Sequence, residues 1–137
     1  MPIGPLRLAG LLLLILAVAH VFFARRLRWG AHVEALPTST RQIFWVHTIF
    51  VVLVVSEQGL LLAVRPDLLT ARSPLAATLC GGLAFFWGLR LSIQWAAFDH
   101  GLWKGRCLET GAHWAFTVLW AYLTLVFGWG LARQLAP

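Results

Sequence analysis

Four long apolar runs, at residues 5–23, 43–64, 75–98 and 112–131, take up most of the chain, and few ionisable side chains interrupt them. Each run has about the 20 residues that a helix needs to cross a hydrocarbon core of about 30 Å. Lipid offers backbone groups no partners, so such runs satisfy their hydrogen bonds internally as helices. A small membrane barrel would alternate apolar and polar residues, and these runs are continuous. The expected fold is an all-α integral membrane protein: a four-transmembrane-helix bundle, up-down-up-down, forming a single transmembrane domain over residues 1–137.

Composition supports this reading of the solvent. Only 12% of residues are charged and 60% are hydrophobic, whereas a soluble domain carries about 25% charged residues. There are too few charges to coat a water-facing surface. The net charge of +6 does not point to nucleic acid. Arg25, Arg26 and Arg28 directly follow the first span, where basic residues meet anionic lipid headgroups. The same pair, Arg25-Arg26, stands where a signal peptide would have a small-residue cleavage site, so the first run reads as a retained helix. Cys80 and Cys107 are expected on opposite membrane faces, too far apart for a disulfide.

The connecting segments carry helix punctuation. Ser39 with Gln42 fits a capping box for the second span, and Arg65-Pro66-Asp67 ends it. Ser73 and Pro74 supply an N-cap and a first-turn proline for the third span, which Asp99-His100-Gly101 closes. Thr110 is the expected cap of the fourth. The segments 24–42 and 99–111 share one side, which holds Arg25, Arg26, Arg28, Arg41, Lys104 and Arg106. The other side holds Arg7, Arg65, Arg72 and Arg133. The excess places both segments in the cytoplasm of a bacterial-type inner membrane, with both termini opposite. Trp29, Trp45, Trp95, Trp103 and Trp114 mark the same interface, and Trp129 the other.

Polar side chains inside a span face other helices or a water-filled cavity. His47 and Gln58 are eleven residues apart and align on one helix face, with Glu57 one step away. Arg90 and Gln94 align four apart, and His113, Thr117, Trp120 and Thr124 make a stripe on the fourth span. Counted inward at about 1.5 Å per residue, His47, Gln94 and His113 share a depth, Arg90 lies a turn deeper and Glu57 deeper still. The candidate ligand-binding set is therefore Arg90, Gln94, His47, His113, Glu57 and Gln58. An arginine at this depth costs about 2.5–3.5 kcal/mol unless it snorkels, pairs with Glu57 or holds an anion, and its planar fork suits phosphate and carboxylate.

Three functions fit this pattern. The first is a binding protein or accessory subunit whose polar pocket holds an anionic amphiphile, a lipid or isoprenoid headgroup. The second is a redox or lipid-modifying membrane enzyme in which His47 and His113 ligate haem or a metal, although no His-x-x-x-His or Glu-x-x-His motif supports it. The third is an oligomeric small-solute or proton-coupled carrier titrating at Glu57. Expected partners are the bilayer and either further copies of the chain or a larger membrane complex. Ser56 and Ser92 lie in no recognisable nucleophile turn, so the sequence decides neither for nor against an enzyme. Ala84 with Gly88, and Gly128 with Gly130, are the small-residue faces expected to allow close helix approach.

Overall fold

The computed structural model describes residues 2–26, 28–97 and 107–136. These form six helices: α1 (Ile3–Arg26), α2 (Trp29–Glu34), α3 (Thr38–Val64), α4 (Asp67–Thr70), α5 (Pro74–Ala96) and α6 (Cys107–Leu135). Proline placement explains the division. Pro37 and Pro66 occupy the N-caps of α3 and α4, and Pro74 opens α5, so no proline interrupts a long helix where its missing N–H would break the ladder. Helices α1, α3, α5 and α6 are long and apolar enough to cross a membrane. Val18, Phe50, Phe85 and Leu125 are each between 62% and 73% exposed, which suits an apolar solvent and not water.

Helices α1, α3 and α6 run further than the apolar runs. The first loop is mostly helical, and α3 starts at Thr38, five residues before the expected span. Ser39 therefore lies inside the first turn and is not its cap; Pro37 takes that place without a side-chain hydrogen bond. Similarly, α6 begins at Cys107 and absorbs both Cys107 and Thr110. Hydropathy marks the part of a helix that lipid covers. Backbone bonding continues into polar flanks until proline, glycine or a turn stops it. The expected N-cap at Ser73 is present, its hydroxyl accepting from Ala76 N–H at 3.1 Å. The expected end of the third span at Asp99-His100-Gly101 lies outside the described residues, as do Trp103, Lys104 and Arg106.

The chain separates into two compact units, Leu6–Arg65 and Met1–Pro5 with Pro66–Pro137. In the N-terminal unit, α1 and α3 meet backbone to backbone. A Cβ placed on Gly10 would lie 2.6 Å from Ala63 N and 2.8 Å from Gly59 O. One on Gly59 would lie 3.0 Å from Gly10 O. This is the close approach that small residues permit in membrane helices, at a pair other than the expected ones. In the C-terminal unit a Cβ on Gly88 would meet only the Thr124 methyl at 3.5 Å, and one on Gly128 would meet nothing within 4 Å.

Side-chain bonds hold the C-terminal unit together. Gln134, near the end of α6, donates to Leu69 O and Ala71 O at 3.0 Å each and accepts from Ser73 N–H at 3.3 Å. The Tyr122 hydroxyl donates to Pro5 O at 2.9 Å, which ties the first residues of the chain to α6. Gln134 meets the start of α5, and His113 meets its end, so α5 and α6 run antiparallel.

Candidate functional site

Arg90, Gln94 and His113 come together in the C-terminal unit, with Trp120 as a fourth member. Arg90 Nη1 donates to Gln94 Oε1 at 3.1 Å, and Trp120 Nε1–H donates to the same oxygen at 3.4 Å. Gln94 Nε2 lies 3.0 Å from His113 Nδ1. These contacts fix the protons. Guanidinium and indole N–H groups only donate, so the carboxamide oxygen must face them and its NH₂ must face the imidazole. His113 therefore accepts at Nδ1, and its neutral form carries the proton on Nε2. Gln94 and His113 are each 5% exposed, so this is a buried network.

Aromatic rings enclose it. The Arg90 guanidinium carbon lies 4.9 Å from the centre of the Trp120 ring, within cation–π range. Trp120 stacks on Trp87 at 5.1 Å and 11°, and on Phe116 at 5.7 Å and 7°. Trp95 meets the His113 ring edge-on at 5.0 Å. The polar stripe expected on the fourth span is only partly outward-directed. The Thr117 and Thr124 hydroxyls donate to the carbonyls of His113 and Trp120 in their own helix, at 2.8 and 2.7 Å.

His47, Glu57 and Gln58 belong to the other unit, on α3. His47 and Glu57 are exposed, and Gln58 is half-buried. Gln58 Oε1 is buried and has no hydrogen-bond partner among the described residues. His47 borders a shallow depression formed with Gln42, Ile43, Val46 and Phe50, all from α3 itself. For haem or metal ligation, the geometry at His113 is the reverse of the usual one. A ligating imidazole ordinarily donates from its second nitrogen to a carbonyl or carboxylate, whereas His113 accepts there.

A larger feature lies elsewhere in the N-terminal unit. Beyond the Gly10–Gly59 contact, α1 and α3 border a cavity of about 590 Å³ that α2 also lines. Its α3 wall is Trp45, Thr48, Ile49, Val52 and Leu53, and its α1 wall includes His20, Val21 and Ala24. Arg25 and Arg28 line it at the α1–α2 junction. Arg28 sits in the left-handed region at φ 50° and ψ 42°, an unfavourable conformation for a side chain with a Cβ. His20 Nδ1 lies 2.8 Å from Leu16 O. A carbonyl only accepts, so the proton is on Nδ1 and the neutral ring keeps its Nε2 lone pair. The Thr48 hydroxyl likewise donates to Phe44 O at 2.8 Å and retains acceptor capacity. This space is an open groove, with Val21, Ile49 and Leu53 each at least half exposed, and its volume lies within the range of small-molecule sites, about 300–1,000 Å³.

The sequence marks Arg25 and Arg28 as headgroup contacts, without joining them to His20 or to the α3 wall. The signal was present. Positions 45, 48, 49, 52 and 53 trace one helical face, as do 20, 21, 24 and 25. Compared with known proteins, the chain matches no family model, no curated protein and no solved structure.

Proposed function

We propose that this chain is an integral membrane protein that binds a single-chain anionic amphiphile in the cavity between α1, α2 and α3. The observation that carries the reading is the cavity's division of labour. Valine, isoleucine, leucine, alanine and tryptophan line it, and two arginines stand where the first span ends. An acyl or isoprenoid chain matches the apolar walls. A phosphate or carboxylate matches Arg25 and Arg28, whose guanidinium groups bind such anions in a planar fork. The strained backbone of Arg28 supports the same reading, because residues held in sparse conformations cluster at ligand-binding sites. In this function Arg90, Gln94 and His113 fix the register of α5 on α6.

The test is titration of the purified protein, in mild detergent or nanodiscs, with oleyl phosphate, read by native mass spectrometry. The double variant Arg25→Gln/Arg28→Gln is expected to bind at least tenfold more weakly. Arg90→Leu is expected to lower stability and keep the affinity. Wild-type affinity in the double variant combined with loss in Arg90→Leu would move the site to α5–α6 and overturn the proposal. Equal binding of oleyl alcohol and oleyl phosphate would remove its anionic part.

A further inference from the structure

Resting on that reading of the cavity, we infer that its ligand is a single-chain phosphate amphiphile with a free hydroxyl between phosphate and chain, the chemistry of a lysophospholipid. The argument comes from the depth and polarity of the lining groups. Arg25 and Arg28 supply only donors, and donors with positive charge, which suits phosphate oxygens. His20 lies five residues before Arg25 on α1, about 7.5 Å along the helix axis toward its apolar part. In the neutral form of the ring the acceptor is Nε2, because Nδ1 is committed to Leu16 O. Thr48, on the facing helix wall, has committed its proton to Phe44 O, so its oxygen accepts as well.

Two acceptors set inward from two cationic donors call for a ligand with the complementary order: anion first, then a donor, then an apolar tail. A bare alkyl phosphate or a fatty acid has no donor at the second position. A diacyl phospholipid has an ester there, which accepts and would face two acceptors, and it brings a second chain. A monoacyl glycerophosphate has the required sequence of phosphate, free hydroxyl and one chain. Acceptors that a bound chain covers without supplying a donor cost affinity, so the preference is built into the site.

The experiment compares 1-oleoyl lysophosphatidic acid with its 2-O-methyl ether, in the full chain reconstituted in nanodiscs. The wild type is expected to bind the free alcohol about tenfold more tightly than the ether. His20→Phe should bring that ratio close to one, and Thr48→Val should reduce it by a smaller factor. The ratio is taken within each protein, so altered folding yields do not enter it, and Thr48→Val keeps the test alive if His20→Phe does not fold. Equal wild-type binding of the two probes overturns the hydroxyl assignment. If Arg25→Gln/Arg28→Gln then still weakens both probes, the anionic-amphiphile reading survives that failure. If neither probe binds and the arginine variant changes nothing, both fall.

Discussion

The two units of this chain hold apolar helices together in opposite ways. In the C-terminal unit, α5 and α6 are joined by carboxamides. Gln134 closes one end of the pair, and Gln94 bridges Arg90, Trp120 and His113 near the other. In the N-terminal unit, α1 and α3 touch through bare backbone at Gly10 and Gly59, and further along α1, α2 and α3 line a cavity. Lipid is as apolar as leucine, so water does not drive such helices together, and packing and hydrogen bonds must do it. A polar network fills the space that it spans. A glycine contact fixes one point and leaves the neighbouring space to a ligand. The histidines follow the same division: His113 accepts from Gln94 within its network, whereas His20 bonds the Leu16 carbonyl of its own helix and lines the groove.

The largest effect should come from breaking the network. Gln94→Leu removes an acceptor from Arg90 and Trp120 and a donor from His113 in one step. Interhelical hydrogen bonds in membranes average about 0.6 kcal/mol each, and stranding a buried polar group adds about 1–3 kcal/mol. The expected loss is about 2–4 kcal/mol in reversible unfolding by denaturing detergent. A loss below about 0.5 kcal/mol would mean that packing alone joins α5 and α6, and the contrast between the units would disappear.

A smaller loss is expected at the glycine contact. In Gly10→Ala, the new methyl meets Ala63 N and Gly59 O, which are backbone atoms and cannot rotate away. Overpacking of this kind costs about 1–3 kcal/mol, and alanine's better helix propensity returns somewhat less than 1 kcal/mol. The two helices must move apart, so affinity for oleyl phosphate should change together with stability. Unchanged affinity alongside reduced stability would separate the cavity from the contact that frames it.

The sequence made the four helices legible because hydropathy and proline placement act locally. It also made half of the polar network legible: Arg90 and Gln94 are one turn apart, and helical phase alone aligns them. That Gln94 reaches His113, nineteen positions away, follows from how α5 and α6 pack, which no local pattern encodes. The glycines misled for a related reason. Ala84 with Gly88 has the familiar four-residue spacing, but close approach depends on what faces the glycine. Gly88 faces a threonine methyl, and Gly10 faces another helix's backbone. The cavity left a periodic trace in both helices, yet its meaning depended on α1 and α3 lining the same space. The arginines after the first span read as headgroup contacts, because nothing in their spacing shows a hollow beside them.

The smallest effect, and the one with the opposite sign, should separate the two kinds of glycine. Gly88→Ala places a methyl 3.5 Å from the Thr124 methyl, an ordinary van der Waals distance. Nothing has to shift, while glycine inside a helix is worse than alanine by up to about 1 kcal/mol. The variant is therefore expected to be neutral or to gain about 0.5 kcal/mol in the same detergent unfolding assay, where Gly10→Ala loses stability. If both variants destabilise equally, α5 and α6 also depend on close glycine packing, and Gln94 supplements that contact instead of replacing it. If Gly88→Ala is neutral and Gly10→Ala is not, the helix pair joined by carboxamides tolerates added volume at its seam and the pair joined by backbone does not.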